Sequence, residues 1–453
     1  MDPESGDAPS QHSGLFLTIV CPVEGRYPLP VGPMQRSTIW YRDMLPESPT
    51  GTGTGTDTEA PTSRGPGNVA VGDRQNTLRV TEVPPSLAER SGVGWVLRPM
   101  VIYLASRVVT MVALAVATTS SHTSILGEIN TWDSRWFIRA AQFGWPTHLP
   151  QSHGHVVGNT IAFFPLFPLT IRWLSHLTGL SLLTAGIVIS ATTGLSAMTG
   201  IWALVRHYAD QKSADRATLL VAMFPGTFVL SLVYSEGIVV ACLAFGLLAL
   251  LQRRWLLAGI LGMLATATTP IALAFEVSCV WCAYCELVKN RNWRVIAAPI
   301  LAPLGFVAYQ LWLWVHTNNL LAWRVTERAG WSSYPSIAYP AHLVATFLRD
   351  PVATNQQQDL LFVGIVVTVI AAVFALRSRM PMPMLLYGLA AASLALVAAP
   401  VGLRPRFIFL AFPLIIAVAT SLRRWAYAAV LSVSIVLLGV LMGYSVTSFA
   451  IFP

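Results

Sequence analysis

The sequence predicts an all-α, polytopic helical membrane protein of about eleven transmembrane helices, at roughly 20 residues per span. Two observations predict this class. Hydrophobic residues make up 54% of the 453 residues and charged residues only 11%, whereas a soluble domain carries roughly 25% charged residues. Apolar stretches near bilayer length recur from Val101 to the C-terminus. The formal net charge of +8 is not a nucleic-acid signal, because most basic residues fall between the apolar stretches.

The N-terminal part is a different material. Residues 1–95 carry the Gly-Thr repeat Gly51-Thr52-Gly53-Thr54-Gly55-Thr56 among Pro, Ser, Gly and Asp. Such a composition does not bury enough apolar surface to offset its ordering entropy, so it reads as a disordered tail. Leu15 to Val23 is too short to span and lacks the n-region and cleavage site of a signal peptide. Residues 96–453 form the membrane domain. Its candidate spans are 98–119, 161–178, 183–205, 217–234, 236–251, 255–269, 271–288, 295–316, 359–376, 383–400, 405–421 and 425–447.

Charge orients these spans. The basic connectors are Arg206/Lys212/Arg216, Arg253/Arg254, Lys289/Arg291/Arg294, Arg377/Arg379 and Arg423/Arg424. Each is separated from the next by an even number of candidate spans, so one cytoplasmic assignment satisfies all of them. Segment 161–178 contains Pro165, Pro168, Arg172 and His176 and reads as a helix lying at or dipping into the outer face. The N-terminus is then inside and the C-terminus outside. The loop carrying Asp133, the 317–358 loop, Tyr234-Ser235-Glu236, Arg404 and Arg406 share the outer, non-cytoplasmic face of a cell (plasma) membrane.

Polar groups at membrane depth are costly, so each needs a reason. Arg107 and Glu276 are expected to pair inside the bundle. Glu236 opens a span directly after Tyr234-Ser235 and is expected to serve the site. Cys279, Cys282 and Cys285 recur every three residues. Three neighbours on one helix do not close around zinc, so they read as ordinary helix cysteines.

The first outer loop reads Asn130-Thr131-Trp132-Asp133-Ser134-Arg135-Trp136-Phe137-Ile138-Arg139. A carboxylate at the membrane surface beside aromatic and basic residues suits chemistry on a lipid-linked substrate. The pattern Trp132-Asp133-x-x-Trp136-Phe137-Ile138-x-x-Ala141-x-x-Gly144 resembles the first-loop signature of the PIG-V-like branch of the GT-C glycosyltransferases. Phe163-Phe164-Pro165-Leu166-Phe167-Pro168-Leu169 with Arg172 is similar to that family's second motif. Phe224-Pro225 leading to Tyr234-Ser235-Glu236 is similar to its third, and Arg404-x-Arg406 through Phe412-Pro413 to its C-terminal basic motif. The order holds over about residues 98–420.

The resemblance implies a GT-C-like fold and a mannosyltransferase that uses a polyprenyl-phosphate sugar as donor, with membrane lipids around it. It implies a catalytic Asp133. Trp132, Arg135, Tyr234, Glu236, Arg404 and Arg406 are the expected substrate-binding residues. The chain departs from the family in two places. Thr269-Pro270 stands where the family has an Arg and then a Gly, so no role for that Arg carries over. Position 135 is Arg rather than a second acid, so the sequence supports no obligatory divalent metal, which would need paired carboxylates.

The chemistry fits the residue types. Transfer from a polyprenyl phosphate needs a base for the acceptor hydroxyl, within about 3 Å or through one water. It also needs cations for the leaving phosphate, a task that suits Arg. Arg324 and Arg328 are the alternative cations, His153 and His155 weak acceptor contacts, and Trp323 and Trp331 interfacial anchors. The acceptor is a glycolipid, a glycan or a protein. An arabinofuranosyl donor is the alternative within the enzyme class. A lipid-linked-glycan transporter is the alternative outside it, but that class places charges near the bilayer midplane and not at one outer face.

Overall fold

The computed structural model describes residues 94–121, 123–350 and 354–447. The expected tail therefore lies outside the described residues, apart from its last two positions, which open the first helix.

The described chain is helical apart from two strand pairs of two residues each. It begins with α1 (Gly94–Ser121), α2 (Ile125–Ile129) and α3 (Asp133–Phe143). A small hairpin follows, β1 (Gln151–Ser152) with β2 (His155–Val156), then α4 (Leu166–Thr178), α5 (Leu182–Tyr208) and α6 (Gln211–Ala222). Next come α7 (Glu236–Leu251), α8 (Trp255–Thr266), α9 (Ala274–Asn290), α10 (Ala297–Leu301) and α11 (Leu304–Thr317). The outer loop folds into α12 (Ala322–Trp331), β3 (Tyr334–Pro335) and α13 (Ala338–Arg349). The chain ends with α14 (Gln356–Arg377), α15 (Met382–Val397), β4 (Ala398–Ala399), α16 (Pro405–Leu410), α17 (Phe412–Ser421) and α18 (Arg424–Thr447). Antiparallel pairing of β3 with β4 ties the outer loop to the segment before α16.

The multi-span class holds, and the expected count of about eleven spans is not confirmed. Among the described residues five helices are long and apolar enough to cross a membrane, and up to seven spans result if each bent pair counts once. Three shorter apolar helices, Trp255–Thr266, Met382–Val397 and Phe412–Ser421, accompany them. Proline and local turns explain the difference. The 217–234 candidate ends as a helix at Ala222, because Pro225 starts a tight 3-10 turn, Pro225–Ser231, which meets α7 at 113°. Proline inside an α-helix removes a hydrogen bond and clashes with the preceding turn. The 295–316 candidate bends by 44° at Pro303, and 405–421 breaks at Ala411. Segment 161–178 holds only the 13-residue α4, shorter than a crossing requires.

Two long helices define the axis of the bundle. Arg98 near the start of α1 pairs with Asp215, and Tyr427 near the start of α18 donates to the Arg216 carbonyl. Past the far end of α1, Trp132 reaches Ser445 near the end of α18. Both helices therefore run from a basic end to the end that carries the first loop. A large core lies between α5, α6, α7, α8, α9, α15 and α17. A second core, containing Phe137, Phe163, Phe167, Tyr234, Leu438 and Met442, lies beneath the first loop and supports the site.

Candidate active site

Asp133 is the first residue of α3, where the unpaired N–H groups of the helix favour a negative charge. Both ends of this helix are pinned. The preceding Trp132 takes a left-handed backbone with φ 52°, uncommon for a bulky residue. Its indole N–H donates to the Ser445 carbonyl at 2.8 Å and holds the turn against α18. At the other end Arg172 donates to the Ala141 carbonyl, one of the last that the helix itself leaves unpaired, and to the Ala140 carbonyl, which also accepts the Gly144 N–H. One turn in, Phe137 packs edge-on against Phe163 and Phe167, each at 4.9 Å between ring centres. That packing fixes the rotation of α3 about its axis, and with it the direction of Asp133.

A second strand of the site comes from the Pro225–Ser231 turn. Arg107, half-buried in α1, donates to the Thr227 carbonyl at 2.9 Å and to Ser231 Oγ at 2.7 Å. The expected internal pairing of Arg107 is thus with a turn, not with an acid. Glu276, by contrast, has a buried Oε2 without a hydrogen-bond partner among the described residues. After the turn, Ser190 bonds both the N–H and the carbonyl of Tyr234, at 3.3 and 3.2 Å. Glu236 then opens α7. Gly226 lets this turn approach the C-terminal motif, since a Cβ there would lie 2.0 Å from the Pro405 carbonyl oxygen.

Arg406 joins the pieces. Its Nη1 donates to Asp133 Oδ2 at 2.6 Å and lies 3.9 Å from Glu236 Oε1. Its guanidinium carbon stands 5.5 Å from the centre of the Tyr234 ring and 4.7 Å from that of Phe407. The Arg406, Asp133 and Glu236 side chains are 12%, 18% and 7% exposed, so the charges meet largely out of water. Glu236 Oε2, Arg406 Nε and Ser134 Oγ are buried without a hydrogen-bond partner among the described residues. Buried polar atoms are rarely left unpaired, and two of these three belong to the Arg406–Glu236 pair.

Arg404 caps α16 and is half-buried. Burial first, and then the neighbouring Arg406, pull its proton affinity down to about 10, which leaves it cationic at neutral pH. Asp133 and Tyr234 act on it in the opposite sense, so Arg404 belongs to the same electrostatic neighbourhood.

The structure thus brings together Asp133, Tyr234, Glu236 and Arg406, with Arg404 beside them. It does not bring in Trp132, whose indole is committed to Ser445, or Arg135, which is exposed and donates to the Asn130 carbonyl at 2.8 Å. In this structure both side chains fix the first loop. Arg324, Arg328, His153 and His155 are exposed. Trp331 packs on Trp136 and Phe163, and Trp323 on Phe164 and Phe306, so both tryptophans fasten the outer loop to the bundle.

Glu327 was not visible as a site residue in the sequence. Burial, and then the charge of Asp133, push its carboxyl up to about 8, against the pull of Arg406. The available signal was spacing: Trp323, Glu327 and Trp331 recur every four residues, on one helix face. Among the described residues no three His, Cys, Asp or Glu side chains converge on a metal position. Asp133 and Glu236 converge on the Arg406 guanidinium.

No family model and no curated protein matches the sequence. Among solved structures the chain is similar to the Archaeoglobus fulgidus oligosaccharyltransferase. Its apo form aligns at 15% identity and a TM-score of 0.38, over 76% of this chain and 56% of that one. A form tethered to an acceptor peptide aligns at 16% and 0.37, over 76% and 55%. The archaeal enzyme AglB, from the same organism, in complex with an inhibitory peptide and a dolichol-phosphate, aligns at 14% and 0.37, over 77% and 56%. The chain therefore spans a little over half the length of these structures.

Proposed function

We propose that this protein is an integral-membrane glycosyltransferase of the GT-C type. It moves a mannosyl residue from a polyprenyl-phosphate sugar to a glycolipid, glycan or protein acceptor on the non-cytoplasmic side. One observation carries the proposal. Asp133 and Arg406, 273 residues apart, meet at 2.6 Å in a half-buried cluster at one end of an apolar helix bundle. A carboxylate for the acceptor proton and a guanidinium for the donor phosphate are the two groups this transfer requires.

The geometry suggests how they divide the work. Arg406 commits Nη1 to Asp133, while its Nε is buried and unpartnered among the described residues. An incoming phosphate engages that free edge and competes with Asp133 for the positive charge. The acceptor oxygen attacks the anomeric carbon as its proton passes to Asp133. The bond from the anomeric carbon to the phosphate oxygen breaks, and the electron pair leaves with the polyprenyl phosphate. Arg406 and Arg404 stabilise the charge that grows on that phosphate.

The test is a membrane assay with radiolabelled polyprenyl-phosphate-mannose and extracted lipid acceptors. Wild-type protein transfers the label to the acceptor. Asp133→Asn keeps the shape of the side chain but not the proton acceptor, and transfer falls ~10²–10⁴-fold with membrane insertion intact. Wild-type turnover by the Asn variant would remove Asp133 from its role.

A further inference from the structure

The outer-loop helix α12 is built onto the site and does not merely cover it. Asn159 Nδ2 bonds Thr326 Oγ1 at 3.3 Å, and Thr326 is fully buried. The Gly158 and Gly330 backbones touch so closely that a Cβ on Gly330 would lie 2.7 Å from the Gly158 Cα. Trp331 stands edge-on to Trp136 at 5.6 Å, and Trp136 lies one turn after Asp133 on α3. Four residues before Trp331, on the same helix face, comes Glu327. Among the described residues, Asp133 and Arg406 act on its carboxyl.

Charge then limits what Glu327 can be. The Arg406 guanidinium already carries Asp133 at 2.6 Å and has Glu236 at 3.9 Å. With Arg404 beside them, two cations face two carboxylates, so the cluster carries no excess positive charge. A third ionised carboxylate would repel an anionic donor. A protonated one adds no charge and offers an O–H donor, as a neutral carboxylic acid does in an apolar site.

On the reading of the protein as a polyprenyl-phosphate-dependent transferase, we propose that Glu327 binds the donor as a neutral acid. Its O–H donates a hydrogen bond to a phosphate oxygen that Arg406 and Arg404 hold from the other side. The proton stays on Glu327 throughout, and no bond to it breaks. Its proton affinity near 8 sets the pH at which this donor is lost. Other titratable groups surround it. Arg404 titrates near 10. The Tyr309 phenol of α11 donates to the Ile161 carbonyl at 2.8 Å. On α12 itself Arg324 and Arg328 are exposed, as is His155 of β2, which packs on α12. His316 of α11 faces the Trp145 carbonyl.

The experiment measures binding of farnesyl phosphate to the full-length protein in detergent, from pH 7 to pH 9, for wild type, Glu327→Gln and Glu327→Ala. The probe is doubly ionised across this range, since the second phosphate pKa is about 6, so its own charge stays constant. Wild-type affinity falls about tenfold between pH 7 and 9, as one group near 8 loses its proton. Glu327→Gln retains an N–H donor that does not titrate, so it binds as wild type does at pH 7 and keeps that affinity at pH 9. Glu327→Ala binds weakly at every pH. A pH-independent wild type, or an Ala variant that binds like wild type, overturns the role of Glu327 alone. Failure of wild-type protein to bind the probe at any pH overturns the donor reading itself.

Discussion

At one end of the bundle Arg406, Asp133 and Glu236 are each less than a fifth exposed, and the pairing distance is 2.6 Å. At the other end Arg98 and Asp215 also pair, at 2.9 Å, but with 50% and 30% of their side chains exposed. The bond lengths are alike and the surroundings are not. Water screens the exposed pair and offers each partner an alternative, so such pairs contribute little, ~0–1 kcal/mol. Charges taken out of water have no alternative partner. Losing one of them costs roughly 3–5 kcal/mol, because the other is left buried and unpaired. The acidic and basic groups of the first-loop end are retained at a cost in desolvation, which is reasonable where chemistry requires them.

The comparison breaks most visibly at Arg406. Arg406→Ala leaves Asp133 and Glu236 facing each other without their shared cation. The expected result is a loss of roughly 3–5 kcal/mol and loss of transfer. Arg406→Lys restores charge but not the planar fork, and rescues only part of both. Thermal unfolding in detergent and donor kinetics are the measurements. Arg404→Ala should be milder, raising the donor KM through the lost phosphate contact and lowering kcat because that contact strengthens as charge grows on the leaving phosphate. Unchanged kcat and KM in both alanine variants would make these arginines lipid anchors.

Gly226→Ala sharpens the same point without touching a charge. The new methyl would lie 2.0 Å from the Pro405 carbonyl, so the turn and the Arg404–Arg406 segment must separate. Overpacking of this kind costs about 1–3 kcal/mol. Transfer is expected to fall by more than that stability loss explains, because the step moves Arg406 away from Asp133. An Ala variant with wild-type kinetics would show that the site tolerates such a shift.

How much of this was legible differs by residue. Asp133 and Arg406 were legible because an acid after the first span and basic residues on the outer side both stand against the background pattern. Glu236 was legible as an acid at the mouth of an apolar helix. The directions of Trp132 and Arg135 were not legible, because sequence adjacency to Asp133 says nothing of where a side chain turns. Trp132 has a left-handed backbone and turns its ring to Ser445, and Arg135 turns back to its own loop. Glu327 was hidden because its loop reads as solvated until Gly158, Asn159 and Trp136 are seen packed against it. The breaks at Pro225, Pro303 and Ala411 were not legible, because a hydropathy window averages over a bend.

The smallest effect is expected at the basic end, and it supplies the control for the rest. Arg98→Ala removes the exposed partner of Asp215, but Asp215 Oδ1 keeps the Trp202 indole N–H at 2.8 Å. The remaining carboxylate is both partly solvated and hydrogen-bonded, so stability should change by less than ~1 kcal/mol and transfer not at all. Raising the ionic strength should shrink even that difference, because exposed pairs are screened over about 10 Å at 0.1 M salt. The same salt change should leave the deficit of Arg406→Ala largely intact, since screening acts weakly on buried charges. Equal salt sensitivity of the two variants in thermal unfolding would mean that the Arg406 cluster is open to water, and the contrast between the two ends would fall.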